Sequence, residues 1–385
     1  MSHRLEQLAL AAATRSGGAG RSWAARLDVI RSSGLRYALH RRRERARESE
    51  VGTRALQQLY RDVWSEAAAE HGAEVVELEG GFLEIRCGGA STRVWRQLSA
   101  LDEAVSLKLA LDKTFVHRLL TERGIGVPEY VEFGHTDLAP ALQFMCEAGD
   151  SGLSSFVVKP ADGGRGGAAV TPCVRNEVQL ARAVLSAARL DTRMLIERQV
   201  PGDMYRLLFL DGELLDVVRR LSPHVTGDGR STLLELIVRE NGRRLEIARP
   251  QALMTVDLDC IFTLAAAGHT LSTVPAAGER VMVKSASSEN AEEENHTVRS
   301  YAPEVIEESA AAVKAVGLRL AGVDVVTPDI NRPLAEAGGT IIEVNGTPGF
   351  QYHYQVADRD RATRVAIPIL ERVLETVGAL AAAPR

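Results

Sequence analysis

The chain has 385 residues, 25% of them charged and 45% hydrophobic, and a formal net charge of −5 at pH 7. That length can bury two or three lobes with real cores, and the acidic balance excludes the broad basic footprint of nucleic-acid binding. No apolar run approaches the roughly 18 residues of a membrane span. The start of the chain is charged and lacks a signal-peptide core, and Cys87, Cys146, Cys173 and Cys260 have neither metal nor redox spacing, which suits a reducing cytoplasm.

Residues 1–48 are Ala- and Arg-rich and predict helix, broken at Gly17-Gly18-Ala19-Gly20. The basic run from Arg36 to Arg47 reads as a solvated helix face with Glu44 and Glu48 as local partners. A helical pattern over 53–69 leads into a strand at 75–78, a Gly80-Gly81 turn and a strand at 82–86, which closes a small α/β unit near residue 105. One helix then carries Leu109, Leu111, Phe115, Val116, Leu119 and Leu120, and Lys113 near its start reads by itself as a solvated lysine.

The next stretch changes character. Ser155 to Pro160 is an apolar strand ending in Lys159, followed by Gly163, Gly164, Gly166 and Gly167 and a strand at 168–171. Glycines between paired strands let backbone N–H groups approach a phosphate, with a lysine as point charge beside them. Strand follows the glycines, so this is neither the GxxxxGK loop nor the GxGxxG fingerprint. A helix at 176–188 returns the chain to a strand ending in Glu197, then a hinge at Val200-Pro201-Gly202. Asp211-Gly212 joins two strands that carry Arg206, Arg219 and Arg220. Unpaired arginines are costly to bury, so these face solvent or meet an anion. Ser231 or Thr232 caps a helix, residues 284–297 are polar and aperiodic and predict a mobile loop, and a helix from Pro303 to Val316 ends at Gly317.

Two short apolar strands close the pattern. One carries Asp324; the other presents Glu343 and Asn345 on one face, because strand side chains alternate. Paired, the two acids would stand together and repel by roughly 4 kcal/mol at about 4 Å. A cation would remove that cost, and so sparse a set of hard oxygens suits Mg²⁺. An amphipathic helix over 365–380 ends the chain.

In order, a helix lysine (Asp112-Lys113), Lys159 with the glycine hairpin, Glu197 to Val200, Asp324, and Glu343-x-Asn345 with Pro348-Gly349 resemble the ATP-grasp carboxylate–amine ligases over about residues 105–352. Within them the chain looks most like the ATP-grasp half of the cyanophycin synthetases, through Glu197–Gly202, Arg206-Leu207-Leu208, Val225–Thr232, Val274–Glu279 and Ala321–Asp324. The resemblance implies an α/β (α+β) ATP-grasp fold: two α/β lobes sandwiching ATP, divided as 106–200 with the glycine hairpin and 201–385 with the metal site, behind an N-terminal helical and small α/β region at 1–105. It implies ATP phosphates on Lys113, Lys159 and the glycine loop, adenine against Glu197 and Val200, and Mg²⁺ (or Mn²⁺) on Asp324, Glu343 and Asn345. Arg206 and Arg220 would lie near the transferred phosphate. The expected partners are a small-molecule carboxylate and an amine, with no nucleic acid or membrane, in a cytoplasmic homodimer. The other reading is an ATP-binding, non-catalytic regulatory or scaffold protein of the same fold.

The sequence departs from that family at three places. The Mur-ligase-like half is absent, the family's Ser-Thr-Gly-Gly loop gives way to 287–295, and the ribose-binding acid reads Met204 with Asp203 beside it. Glu292, Glu293 and Glu294 in that loop suggest a cationic substrate, and Gln351 to Tyr354 either packs between lobes or touches substrate.

Overall fold

Two helices, Gly18–Ser33 and Leu35–Glu70, begin the computed structural model, which describes residues 18–148, 154–162, 167–247 and 250–382. A break falls between them at Gly34 (φ 84°), and Gly18–Gly20 open the first described helix, so the break expected at Gly17–Gly20 lies at the edge of the described residues. The second helix runs unbroken through Gly52 for 36 residues, a rod of about 54 Å. The helical stretches expected separately at 1–48 and 53–69 are therefore joined. Residues 1–17, the side chains at 42–47 in the basic run, and Gly163, Gly164 and Gly166 lie outside the described residues.

Strands β1 (Glu74–Glu77), β2 (Leu83–Cys87) and β3 (Ala90–Val94) form a three-stranded antiparallel sheet. The short polar β3 was not expected; the Gly88-Gly89 turn folds it back on β2. Next, β4 (Tyr130–Gly134), β5 (Phe156–Pro160), β6 (Thr171–Val174) and β7 (Arg193–Arg198) pair antiparallel in the order β4-β7-β5-β6. β6 begins at Thr171, so the expected strand at 168–171 belongs mostly to the glycine connection. Phe156, Val158, Val184, Met194 and Ile196 form this lobe's core, and Leu258 and Phe262 of the later helix Leu258–Ala266 join it.

The remaining strands are β8 (Asp203–Leu210), β9 (Glu213–Arg220), β10 (His224–Thr226), β11 (Arg280–Met282), β12 (Asn295–Thr297), β13 (Leu320–Thr327) and β14 (Thr340–Asn345). Five of them make one sheet in the order β12-β9-β8-β13-β14, and β10 pairs with β11. Asp211 and Gly212, both with positive φ, make the expected tight turn between β8 and β9. Alternation along β8 divides two cores. Leu207 and Phe209 pack with Val313 of the helix Pro303–Val316 and with Val116 and Leu120, while Leu208 and Leu210 pack with Trp64 and with Ile369 and Leu370 of the last helix, Ala366–Ala382.

Two local expectations change. The single helix through Leu109 and Leu120 is two, Ala104–Leu109 and Lys113–Thr121, because the Asp112 carboxylate accepts from the Phe115 N–H (3.0 Å) and starts the second. The loop expected to be mobile at 284–297 is built in: Asn290, Glu292, Glu294 and Asn295 are buried, and β12 pairs with β9. Phe350 packs edge-on against Tyr60 and Trp64, with ring centroids 5.0 and 5.5 Å apart. Its neighbour Tyr354 accepts from the Ala366 N–H, so most of the 350–354 segment serves packing. Among the described residues no helix is long and apolar enough to cross a membrane.

Candidate active site

β13 and β14 bring Asp324 opposite Glu343 and Gly322 opposite Asn345. The alternation of β14 puts Asn345 on the same face as Glu343, and Asn345 Nδ2 donates to Asp324 Oδ2 at 3.2 Å. The three predicted metal ligands therefore meet. They do not form the bare pair of acids that the sequence suggested, because the protein supplies a cation to each. Arg206 stands opposite Asp324 on β8 and binds it with both arms of the guanidinium, Nε to Oδ1 at 2.5 Å and Nη2 to Oδ2 at 2.8 Å. Lys113 Nζ lies 2.9 Å from Glu343 Oε1.

A glycine makes this crossing possible. A Cβ on Gly322 would lie 2.9 Å from the Pro348 Cβ and 3.1 Å from the Arg206 Cδ, so any side chain there would push Arg206 off Asp324 or move the Pro348 turn.

Lys113 is not the solvated lysine its segment suggested. Asp112 places it in the first turn of its helix, its N–H donates to the Ala161 carbonyl just past β5 (2.9 Å), and its side chain is buried against Glu343. One turn on, His117 Nε2 lies 2.8 Å from Glu197 Oε1, and Lys159 Nζ approaches the same oxygen at 2.5 Å. Residues four apart share a helix face. One helix face thus holds an acid of each sheet, Glu343 on β14 and Glu197 on β7. The sequence reading missed His117, although its i+4 spacing from Lys113 was the available signal.

The electrostatics follow. Burial would push the Glu343 carboxyl up, but Lys113, with Lys159 and Arg206 behind it, holds it down at about 2. Burial pulls Lys113 down, yet Glu343 carries it net above the ordinary lysine range. Glu197 is likewise held below the usual carboxylate range against its burial, by Lys159 and then His117. Four predicted site residues, Lys113, Glu343, Lys159 and Glu197, and one unforeseen histidine therefore form two charge-paired clusters.

The other predicted residues are less central. Arg220 is buried, with its guanidinium carbon 4.0 Å from the centroid of the Tyr352 ring and Nη2 donating to Asn290 Oδ1 at 3.4 Å. Burial draws its pKa down. Val200 is half-buried in the hinge after β7. Asp203 is held by Arg219, whose Nε donates to it at 2.8 Å. Gly167 has φ 74°, and a Cβ there would fall 2.7 Å from Ser288 Oγ, so the end of the glycine hairpin abuts the 284–297 segment. The acids of that segment do not wait for a cationic substrate: Arg359 meets Glu292, Arg243 meets Glu293, and His224 and Arg244 meet Glu294.

Among the described residues no three His, Cys, Asp or Glu side chains gather as metal ligands. The Asp324–Glu343–Asn345 set instead offers two carboxylates and an amide oxygen. That hard, sparse donor set fits Mg²⁺, which completes its shell with water and phosphate.

No protein-family model matches the chain. Cyanophycin synthetase from Trichormus variabilis is 31% identical to it over 295 residues, 74% of this chain and 32% of that protein. Over those residues the chain is similar to a part of the ATP-grasp ligases. Another relative, the glutathione biosynthesis bifunctional protein GshAB of Mannheimia succiniciproducens, is 26% identical over 290 residues, 73% of this chain and 38% of that protein. Among solved structures, a bifunctional glutathione synthetase from Pasteurella multocida aligns with a TM-score of 0.49 at 21% identity, over 79% of this chain and 42% of that one. The chain spans about a third of the length of the curated relatives it matches.

Proposed function

We propose that this ATP-grasp ligase joins the carboxylate of an amino acid or short peptide to an amine through an acyl-phosphate, releasing ADP and phosphate. The observation that carries this reading is the convergence of Lys113, Arg206, Asp324, Glu343 and Asn345 where the helix Lys113–Thr121 meets the β8-β13-β14 sheet. A carboxylate is a poor electrophile at neutral pH. Phosphorylating it gives an electrophile that an amine can attack, with phosphate as the leaving group. Phosphoryl transfer depends on positioning and charge neutralisation more than on a protein nucleophile.

Each residue has a role in that scheme. Asp324, Glu343 and Asn345 would hold Mg²⁺, which neutralises phosphate charge when bound. Lys113 and Lys159 would bind phosphate oxygens, with Gly163, Gly164, Gly166 and Gly167 closing over them. Arg206 and Arg220 would stabilise charge on the transferring group. Glu197 and Val200 would meet the adenine, and Asp203 the ribose in exchange for its present partner Arg219. The aromatic wall at Tyr352 keeps Arg220 buried and water-poor, where its charge acts most strongly.

The test is mass spectrometry of products from pooled amino acids and amines incubated with the protein and Mg-ATP. A new product one water lighter than its two parts, formed together with ADP, is expected. ADP release indifferent to every carboxylate and amine would favour the non-catalytic reading.

A further inference from the structure

Apart from the charge-paired clusters lies a cavity of ≈ 340 Å³, walled by Leu56 of the long N-terminal helix, Arg96, Gln251, Asn290, Glu292 and Tyr352. Its size falls at the small end of small-molecule sites. Two of its walls carry polar atoms that are buried and have no hydrogen-bond partner, Arg96 Nε and Gln251 Oε1. Among the described residues the Arg96 guanidinium makes no ion pair. It lies over the Trp95 ring, 4.7 Å from its centroid.

Arg96 is also held there deliberately. Its φ is 52°, a left-handed conformation that non-glycine residues rarely adopt, and its carbonyl accepts from the buried Trp64 Nε1 at 2.8 Å. The other charge lining the cavity, Glu292, is matched by Arg359. Arg96 is thus the cavity's uncompensated charge, and buried donors without acceptors are rare in folded proteins. An anionic ligand would supply the missing acceptor, with the planar fork of arginine matched to a carboxylate.

Tyr352 connects this cavity to the chemistry, because its ring also covers Arg220. We propose that the cavity binds the amine substrate as an α-amino acid, its carboxylate on Arg96 and its polar flank on Gln251. This rests on the ligase reading above: the carboxylate to be activated belongs with Arg206 and Arg220, so a carboxylate on Arg96 belongs to the attacking partner. Simple amines, lacking that group, would be poor acceptors.

The test compares the twenty common amino acids with their carboxamides, in ADP release with Mg-ATP and in equilibrium dialysis without ATP. Amino acids should exceed their carboxamides as acceptors by about tenfold or more in kcat/KM, the range of a charged hydrogen bond. Arg96→Met should raise the amino-acid KM by about tenfold or more while kcat changes much less. Carboxamides that work as well as the acids, or an unchanged KM in Arg96→Met, would overturn the pocket and leave the ligase reading standing. If no pair drives ADP release, the ligase reading fails and dialysis decides the pocket alone. Amino-acid binding lost in Arg96→Met then supports it; no binding, or equal binding in both proteins, overturns it. Should Arg96→Met not fold, Gln251→Leu takes its place, and unchanged affinity there overturns the proposal.

Discussion

Arg206 on β8 reaches across the sheet to Asp324 on β13 and holds both carboxylate oxygens, at 2.5 and 2.8 Å, with both side chains buried. The predicted metal site is thus folded around an internal salt bridge.

Removing one partner leaves the other charge buried and alone, which costs about 3–5 kcal/mol. Arg206→Met should lower unfolding free energy by that amount in urea titrations, and Arg206→Met with Asp324→Leu should recover most of it. A single-mutant loss below about 1 kcal/mol would mean that the pair is not formed in solution.

Glu343→Gln keeps the shape of the side chain and removes its charge. Turnover should fall by about 100-fold or more, with near-native circular dichroism; turnover close to wild type would sink its assignment as a metal ligand. The variant also has a pH signature. The folded Glu343 titrates at about 2 against an ordinary value of 4.5. Its contribution is therefore fully present above about pH 4.5 and lost as pH falls toward 2. The stability difference between wild type and Glu343→Gln should shrink over that window and stay constant above it.

Chelation tests the metal. EDTA should stop ADP release, and Mg²⁺ or Mn²⁺ should restore it. Mg-ATP at about 100 times its Kd should stabilise the fold by about 2.7 kcal/mol, a gain absent in Asp324→Asn. An equal rise in Tm for wild type and variant would place the nucleotide elsewhere.

Lys284 anchors the acidic segment. It is buried, 2.9 Å from Asp257 Oδ2 and 3.0 Å from Glu289 Oε2. Lys284→Met should release residues 284–297, seen as faster amide exchange there, with a cost of about 1–3 kcal/mol because Asp257 and Glu289 stay partly exposed and keep their other hydrogen bonds. Unchanged exchange protection would show that β12 alone holds the segment.

What the sequence could show by itself was local. A helix cap at Ser231 or Thr232, which the fold places at Thr232, Gly317 as a stop, Asp211-Gly212 as a turn and the facing strands of Asp324 and Glu343 follow from nearest-neighbour chemistry and a period of two. The order of those pieces was enough to point to the ATP-grasp fold. Residues 284–297 looked mobile because they are polar and lack periodicity; Arg244, His224 and Arg359, which pair with their acids, come from distant elements. Lys113 looked solvated until the Ala161 carbonyl and Glu343 were placed beside it. Arg96 carried no signal in its own segment. Its character comes from Trp64 beneath it and from an absence of acceptors around it. Hydrophobic period and capping act over a few residues, whereas the partner of a buried charge is set by which elements the fold brings into contact.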